Sequence, residues 1–366
     1  MYVGLMLITT FCREPFTPDF ETGTNDYLVV EGFINVGIKG VTTIKLSRVA
    51  PLLTSKRVSE KSASINIENE TGSKFPLYEV SNGIYLSDSL NLDQTNKYKL
   101  LIKTHNGKQY ESALVQSKIT PAIDSINWRW EDTGINFYVN AHDTENNTQY
   151  YKWDYQETWE INSDYVSQYT YINGKLEVRN TKEKKDMFYC WQYGISKDLH
   201  FASTSQFDID KIRYRIASLP HYSDRTSVKY SILVNQRALS KEEFDYLQII
   251  QKNSSVTGSL FDPLPGEIKG NIESLDDASE PVIGYIGAYT QQTKRIFLLV
   301  SQLNADPNAK CESVNVEIES LDKFFGSEGA YTPITITNPE LSTGAAKYCM
   351  DCRLRGGSPI EPDYWQ

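Results

Sequence analysis

The chain has 366 residues, of which 40% are hydrophobic and 12% aromatic, with 24 Tyr against 14 Phe. This composition suffices for buried cores and excludes a disordered chain, and the length favours two domains. The formal net charge is −10. The one cationic cluster, NTKEKKD (180–186), is interpreted as a solvated loop, so the sequence lacks the basic stripe of nucleic-acid-binding proteins.

The chain starts with MYVGLMLITTFC, a run of uncharged residues that ends at Cys12. We predict that residues 1–12 are the remnant of a secretory signal with its lipobox, and that Cys12 carries the lipid of the mature protein. Prolines and acidic residues in 13–26 indicate a flexible tether. An alternative stays open, in which 1–11 form a first strand and Cys12 is a free thiol. The lead contains no Lys or Arg, and Phe11 stands where a lipobox has a small residue.

Short alternating strands follow in residues 27–118. YLVVEGFINV, VTTIKLSRV and SASINIEN are rich in β-branched residues, and Asn106-Gly107 predicts a hairpin turn. Strands of this length, with turn signals every eight to twelve residues, are typical of a sandwich. We therefore predict an N-terminal Ig-like or transthyretin-like β-sandwich over 27–118. The stretch KITPAIDSI (118–126) indicates a hinge after it, because Pro121 breaks a continuing strand.

A larger β-rich domain is predicted for 119–366. The strand INWRWED places Trp128 and Trp130 on one face, and Asn173-Gly174 predicts the tip of another hairpin. The fold class is therefore mainly β.

One segment of this domain has the helical period instead. In ALSKEEFDYLQIIQKNSS, Ser240 and Glu243 form a capping box, and Phe244 and Leu247 then fall on one face. We predict one amphipathic helix over 241–252.

An even number of cysteines remains when Cys12 is set aside. They are Cys190, Cys311, Cys349 and Cys352. An even count suits an oxidising compartment, so we predict disulfides that hold the C-terminal tail on the body of the protein. Two alternatives are a zinc site with four thiolates and a redox-active C-x-x-C. Sequence does not separate the three possible pairings.

Several sequence blocks together resemble a known family. They are LVVEGFI, YCWQ, the run from SKEEFDYLQ to GSLFDPLPGEIKGN, EPVIGYIGAYT, and CMDCRLRGGSPIEPDYW at the end. Their order over roughly 24–366 resembles a Bacteroidota outer-membrane lipoprotein family known as domain of unknown function 4249. The resemblance implies a lipid-anchored protein on the cell-surface side of the outer membrane. It also implies a TonB-dependent β-barrel transporter as partner, and it implies no catalytic residues.

The four histidines are scattered and form no catalytic motif, so we expect no enzyme, no metal and no cofactor. The oxygen-rich NAHDTENNT (140–148) is interpreted as a solvated loop rather than a calcium site, since it lacks the D-x-D-x-D-G pattern. Trp128, Trp130 and Phe261 are the candidate surface for a partner or for a peptide or glycan ligand.

Three functions follow as hypotheses. The first is an accessory or substrate-capture subunit of the transporter. The alternatives are a structural lipoprotein of an outer-membrane complex and, less favoured, a surface hydrolase.

Overall fold

The computed structural model describes residues 27–49, 58–221, 223–254, 269–303 and 311–365. These residues form 24 strands and four α-helices, so the prediction of a mainly β protein is confirmed. The signal remnant 1–12, Cys12, the tether 13–26 and Phe261 lie outside the described residues.

The first nine strands follow one another closely in the N-terminal unit. They are β1 (Leu28–Asn35), β2 (Thr43–Arg48), β3 (Val58–Ser59), β4 (Ser64–Asn69), β5 (Lys74–Ser81), β6 (Ile84–Ser87), β7 (Lys97–Lys103), β8 (Gln109–Ser112) and β9 (Val115–Gln116).

The later strands are separated by longer connections. They are β10 (Ile123–Glu131), β11 (Gly134–His142), β12 (Tyr150–Asn162), β13 (Tyr169–Ile172), β14 (Lys175–Val178), β15 (Tyr189–Ile195), β16 (His200–Ser203), β17 (Lys211–Leu219), β18 (Lys229–Ala238), β19 (Ile272–Ser274), β20 (Ala288–Tyr289), β21 (Gln291–Leu299), β22 (Ser313–Glu317), β23 (Tyr331–Asn338) and β24 (Leu341–Ala346). The helices are α1 (Thr181–Phe188), α2 (Lys241–Ser254), α3 (Leu321–Phe325) and α4 (Lys347–Met350).

The N-terminal unit is built on one hydrogen-bonded sheet of eleven strands, in the order β19-β8-β7-β4-β5-β6-β2-β1-β20, with β3 beside β2 and β9 beside β7. The sheet curls into a half-barrel, so one continuous sheet encloses the core expected of a sandwich. Alternate side chains such as Tyr98, Leu100 and Ile102 of β7 enter that core. The hairpin β7–β8 turns at Asn106-Gly107 as predicted, with Gly107 at a φ of 91°.

Two strands of this sheet come from late in the chain. β19 pairs antiparallel with β8, and β20 pairs parallel with β1. The range 119–366, assigned from sequence to the second domain, therefore supplies both ends of the N-terminal sheet.

The second unit packs a three-stranded sheet (β10-β11-β17) against a five-stranded one (β15-β12-β18-β21, with β16 beside β12). Their shared core holds the buried rings of Phe137, Trp153 and Tyr230. The hairpin β13–β14 turns at Asn173 and Gly174, with φ of 50° and 81°, as an Asn-Gly hairpin turn requires. A further small sheet has the order β22-β24-β23.

The predicted helix 241–252 is present as α2 and extends two residues further. Ser240 caps it, because its Oγ accepts the backbone N–H of Glu243 at 3.1 Å. The other half of the predicted capping box is wrong, since the Glu243 side chain enters the interior instead of reaching back. Among the described residues, none of the helices is long and apolar enough to cross a bilayer.

The cationic segment NTKEKKD is helical, which corrects its interpretation as a solvated loop. It forms most of α1, where Asn180 caps the helix by accepting the backbone N–H of Glu183 at 2.9 Å. Together with α3 and α4, it adds three short helices to the one that was predicted.

The C-terminal tail is bound to the body at several points. Cys190 pairs with Cys352, and Cys311 pairs with Cys349, with Cα–Cα distances of 5.8 and 6.2 Å. These pairs agree with the disulfide prediction and select one of the three pairings. Near the end, the indole N–H of Trp365 donates to Glu160 of β12 at 3.1 Å.

Candidate ligand-binding site

The connection between the two units is hydrogen-bonded through a buried threonine, although its neighbour Ile119 is exposed. Thr120, 1% exposed, donates its backbone N–H to Oγ1 of Thr290 at 2.8 Å and accepts the N–H of Ala238 at 3.0 Å. The side-chain amide of Gln236 donates to the carbonyl of Pro121 at 2.8 Å. The stretch 118–126, interpreted from sequence as a hinge, is therefore fastened to strands on both sides.

A cavity of about 600 Å³ lies at this junction, and we call it the junction cavity. Its walls are the segment 113–118, the residues before β12, the first turn of α2, and residues 285–289. The volume falls within the range of about 300–1,000 Å³ that is usual for small-molecule sites. Because the walls belong to both units, neither unit forms the cavity alone.

Glu243 lies in the wall of the junction cavity and is only 3% exposed. Its Oε1 accepts the hydroxyl of Tyr289 at 3.2 Å, whereas its Oε2 has no hydrogen-bond partner within the part of the chain that the structure describes. Burial raises the pKa of Glu243, and the charge of Lys152 opposes this rise. A buried carboxyl with an unsatisfied oxygen beside a cavity is a frequent mark of a functional site.

Gly287 allows Glu243 and Tyr289 to pack closely against the backbone. A Cβ built on Gly287 would lie 2.5 Å from Oε2 of Glu243 and 2.5 Å from Cε1 of Tyr289. Real side chains do not tolerate such distances, so glycine is required here for packing rather than for its φ angle.

Aromatic and basic groups surround Glu243 on the other side. The ring of Tyr289 stacks on Phe33 of β1, with centroids 4.8 Å apart. The guanidinium of Arg237 lies 5.0 Å from the centroid of the same Phe33 ring and forms an ion pair with Asp154. The positive charge of Arg237 is therefore already balanced, and these contacts fix helix α2, β18 and the N-terminal sheet to one another.

Two half-buried tyrosines line the cavity itself. Tyr150 packs on Phe244 at 4.9 Å between centroids, and Tyr285 packs on Tyr246 at 5.6 Å. Beside them, the side-chain amide of Gln149 and the hydroxyl of Tyr150 make no hydrogen bond to any described residue. The cavity thus offers fixed ring surfaces and unused neutral hydrogen-bonding groups.

A second cavity, of about 680 Å³, adjoins the first and shares Ser117, Lys118 and Asn147 with it. We call it the acidic cavity, because Asp124, Asp143 and Glu145 line it. Nδ1 of His142 lies 2.8 Å from each carboxylate oxygen of Asp124.

Asp143 organises the loop at this cavity. Its carboxylate accepts the backbone N–H groups of Glu145 and Asn147 at 3.0 Å and of Thr148 at 2.8 Å. Burial raises the pKa of Asp143, but these hydrogen bonds outweigh it and lower the pKa overall. The carboxylate is therefore engaged in holding the loop 140–148 in shape.

The sequence profile of the family described as domain of unknown function (DUF4249) matches residues 13–295, a range that includes both cavities. The chain belongs to the DUF4249 family. No curated protein matches it.

Three solved structures share some similarity with this DUF4249 protein. A DUF4785 family protein from Legionella pneumophila has a TM-score of 0.19 and 7% identity, covering 57% of this chain and 52% of that one. A putative carbohydrate binding protein from Bacteroides uniformis has a TM-score of 0.13 and 9% identity, covering 59% and 91%. The calcium binding domain CBD12 of CALX1.1 has a TM-score of 0.13 and 10% identity, covering 74% and 99%. The chain thus spans about half the length of the Legionella protein, and similarities this low support no conclusion on fold or function.

The residues that sequence analysis selected lie elsewhere in this DUF4249 protein. Trp128 is half-buried and packs against the core of the second unit. Trp130 is 44% exposed, with its ring 4.7 Å from that of His221. Only Trp130 therefore offers a substantial exposed surface, and neither Trp lines the junction cavity.

The four cysteines that the structure describes do not line the junction cavity either. Among the described residues, one group has ligand atoms close enough for a metal, with Asp164, Cys311 and Cys349 within 4.8 Å of one another. Both sulfurs of this group are joined in the disulfide, and the four-thiolate zinc alternative is not formed because the cysteines lie in two separate pairs.

Sequence reasoning missed Glu243, Gly287 and Tyr289 as site residues. Sequence analysis assigned Glu243 to helix capping, so its long-range contact with Tyr289 was not predicted. The available signal was GYIGAYT (284–290), where two tyrosines flank a glycine in a segment too short for a packed strand.

Proposed function

We propose that this DUF4249 protein is a surface-facing outer-membrane lipoprotein that captures a ligand for a TonB-dependent transporter. The observation that supports capture is the junction cavity, which combines ring surfaces, unused hydrogen-bonding groups and an unsatisfied buried carboxyl oxygen. The membrane and transporter context rests on the resemblance of the sequence blocks to lipoproteins of this family.

Preorganisation supports a binding role. The rings that line the cavity are braced by other rings, and the junction is fastened through Thr120. A ligand that enters such a cavity orders few protein groups, so less of its interaction energy is lost to conformational entropy.

The proposed anchor at Cys12 places the protein beside its transporter. Two molecules held in one membrane meet at a raised effective concentration, so modest intrinsic affinity is enough for repeated engagement. Several acyl chains on one cysteine give stable attachment, whereas a single chain gives only marginal binding.

The test is affinity purification of the tagged full chain from outer membranes in mild detergent, followed by identification of its partners and mass spectrometry of its N-terminus. We expect a TonB-dependent barrel and a lipid-modified Cys12. A Cys12→Ser variant should leave the membrane fraction. Ser117→Cys does not serve as its control, because Ser117 lines both cavities.

Two results would contradict the proposal. An unmodified Cys12 with intact Met1 would remove the lipoprotein assignment. A barrel that co-purifies but transports equally well when the junction cavity is blocked would favour the structural lipoprotein instead.

A further inference from the structure

We infer that the junction cavity binds a neutral oligosaccharide, an inference that rests on the capture function proposed above. It follows from three properties of the cavity: its balanced charge, its neutral hydrogen-bonding groups and its braced tyrosine rings.

The charged groups near the cavity are mostly compensated within the protein. Nζ of Lys241 lies 2.5 Å from Asp245, and Arg237 is paired with Asp154. Glu243 is the acidic member of this group, and the positive charge of Lys152 acts on it. Lys118 and Glu242 also line the cavity, so its wall carries two lysines and two glutamates and no excess of either charge that would favour an ionic ligand.

The unused groups are neutral and suit hydroxyls. The amide of Gln149 offers two donors and an acceptor, and the hydroxyl of Tyr150 offers one of each. Oγ of Ser240, which accepts the backbone N–H of Glu243, lies 3.4 Å from the hydroxyl of Tyr285, a long hydrogen bond that leaves the Tyr285 hydroxyl able to bind another partner. Sugar hydroxyls both donate and accept, so they match every one of these groups.

The rings of Tyr150 and Tyr285 supply the apolar part of the site. Each is half-buried and packs on another ring, and this contact restricts its orientation. A pyranose presents C–H groups on its faces and hydroxyls on its rim, and a tyrosine presents an apolar face with a polar tip.

The adjoining acidic cavity differs from the junction cavity in its charge. There Asp124, Asp143 and Glu145 face Lys118, so a cationic peptide would be drawn to that side. Binding of a basic peptide is therefore the competing outcome of the test.

The experiment is calorimetric titration of the purified full chain at neutral pH. The saccharide probes are maltohexaose, cellohexaose, xylohexaose, mannohexaose and laminarihexaose, and the peptide probes are tetra-alanine and tetra-lysine. We expect saturable binding of at least one saccharide. Gln149→Ala and Tyr150→Phe should each weaken it about 2- to 10-fold, the effect of one lost hydrogen bond.

Matched controls are Gln251→Ala and Tyr78→Phe, which change the same residue types at exposed positions away from the cavity. They should leave the Kd unchanged. Tyr150→Phe removes one oxygen atom and keeps the ring, so it tests the site even if Gln149→Ala destabilises the fold.

Each other outcome overturns the inference in a distinguishable way. Peptide binding that the cavity variants weaken, without saccharide binding, would reject the oligosaccharide and leave the capture function standing. Saccharide binding that the cavity variants do not affect would reject this site. If none of the probes binds, the inference is rejected. The proposed function fails as well only if no barrel co-purifies.

Discussion

The hydroxyl of Tyr289 lies 3.2 Å from Oε1 of Glu243, and this hydrogen bond joins the two units of the protein. Tyr289 ends a strand that pairs with β1 of the N-terminal sheet, whereas Glu243 lies in the first turn of the helix that follows β18. The contact is deeply buried, so the polar groups at the junction depend on each other rather than on water. The stability of the junction should therefore respond to pH and to small changes of shape.

Glu243→Gln should change how stability depends on pH. Burial raises the pKa of the Glu243 carboxyl above its ordinary value of 4.5, so the folded state holds this proton more tightly than the unfolded state does. The stability from this group is complete below pH 4.5 and is lost as pH rises through the folded-state value. Glutamine does not ionise, so the variant should gain thermal stability relative to the wild type between acidic and neutral pH.

The measurement is Tm of both proteins across that pH interval. Glu361→Gln, at an exposed position outside the junction cavity, is the matched control. A Tm difference between Glu243→Gln and wild type that does not vary with pH would show that this carboxyl keeps the same pKa on unfolding.

Gly287→Ala should destabilise the fold by about 1–3 kcal/mol, the usual cost of overpacking. The added methyl would lie 2.5 Å from Oε2 of Glu243 and 2.5 Å from the ring of Tyr289. In a Glu243→Ala background the first clash is absent, so the cost of the glycine substitution should fall. Urea unfolding of the two single variants and the double variant measures this coupling. Strictly additive effects would contradict the proximity of Gly287 and Glu243.

The two disulfides should differ in their contribution to stability. Cys190 and Cys352 are 162 residues apart in sequence, against 38 for Cys311 and Cys349. In the chain-entropy account the longer loop stabilises more, by about 1 kcal/mol for this ratio of lengths. Urea unfolding of two variants, each with both cysteines of one disulfide changed to serine, compares the two contributions.

A peptide map under non-reducing conditions checks the pairing itself. Peptides that link Cys190 to Cys349, or free thiols at these positions, would contradict the structure.

Trp128→Ala should destabilise far more than Trp130→Ala. Trp128 is half-buried and packs against the core, so its truncation removes part of that packing and should cost about 2 kcal/mol or more. Trp130 is 44% exposed and contacts His221, so its truncation should cost about 1 kcal/mol or less. Chemical unfolding of the two variants measures the free energy that each loses. Equal losses would show that the two rings share one environment.

The sequence by itself determined the local elements. The alternation of apolar residues predicted the strands, Asn-Gly placed two hairpin turns, and the capping serine with a helical period located α2. These features depend on interactions within a few residues, so the information lies in the segment itself. The local pattern did not predict every element, since NTKEKKD has no apolar stripe. Its helix α1 depends on the cap at Asn180 and on the burial of Met187.

Only the tertiary structure decided which distant segments meet. The return of residues 272–289 to the first sheet, the choice of disulfide partners and the burial of Glu243 each join residues tens to hundreds of positions apart. No local pattern records such contacts, because many strands carry the same alternation and any edge can accept them. Packing of the whole core selects one arrangement, and the junction cavity exists only as a consequence of that selection.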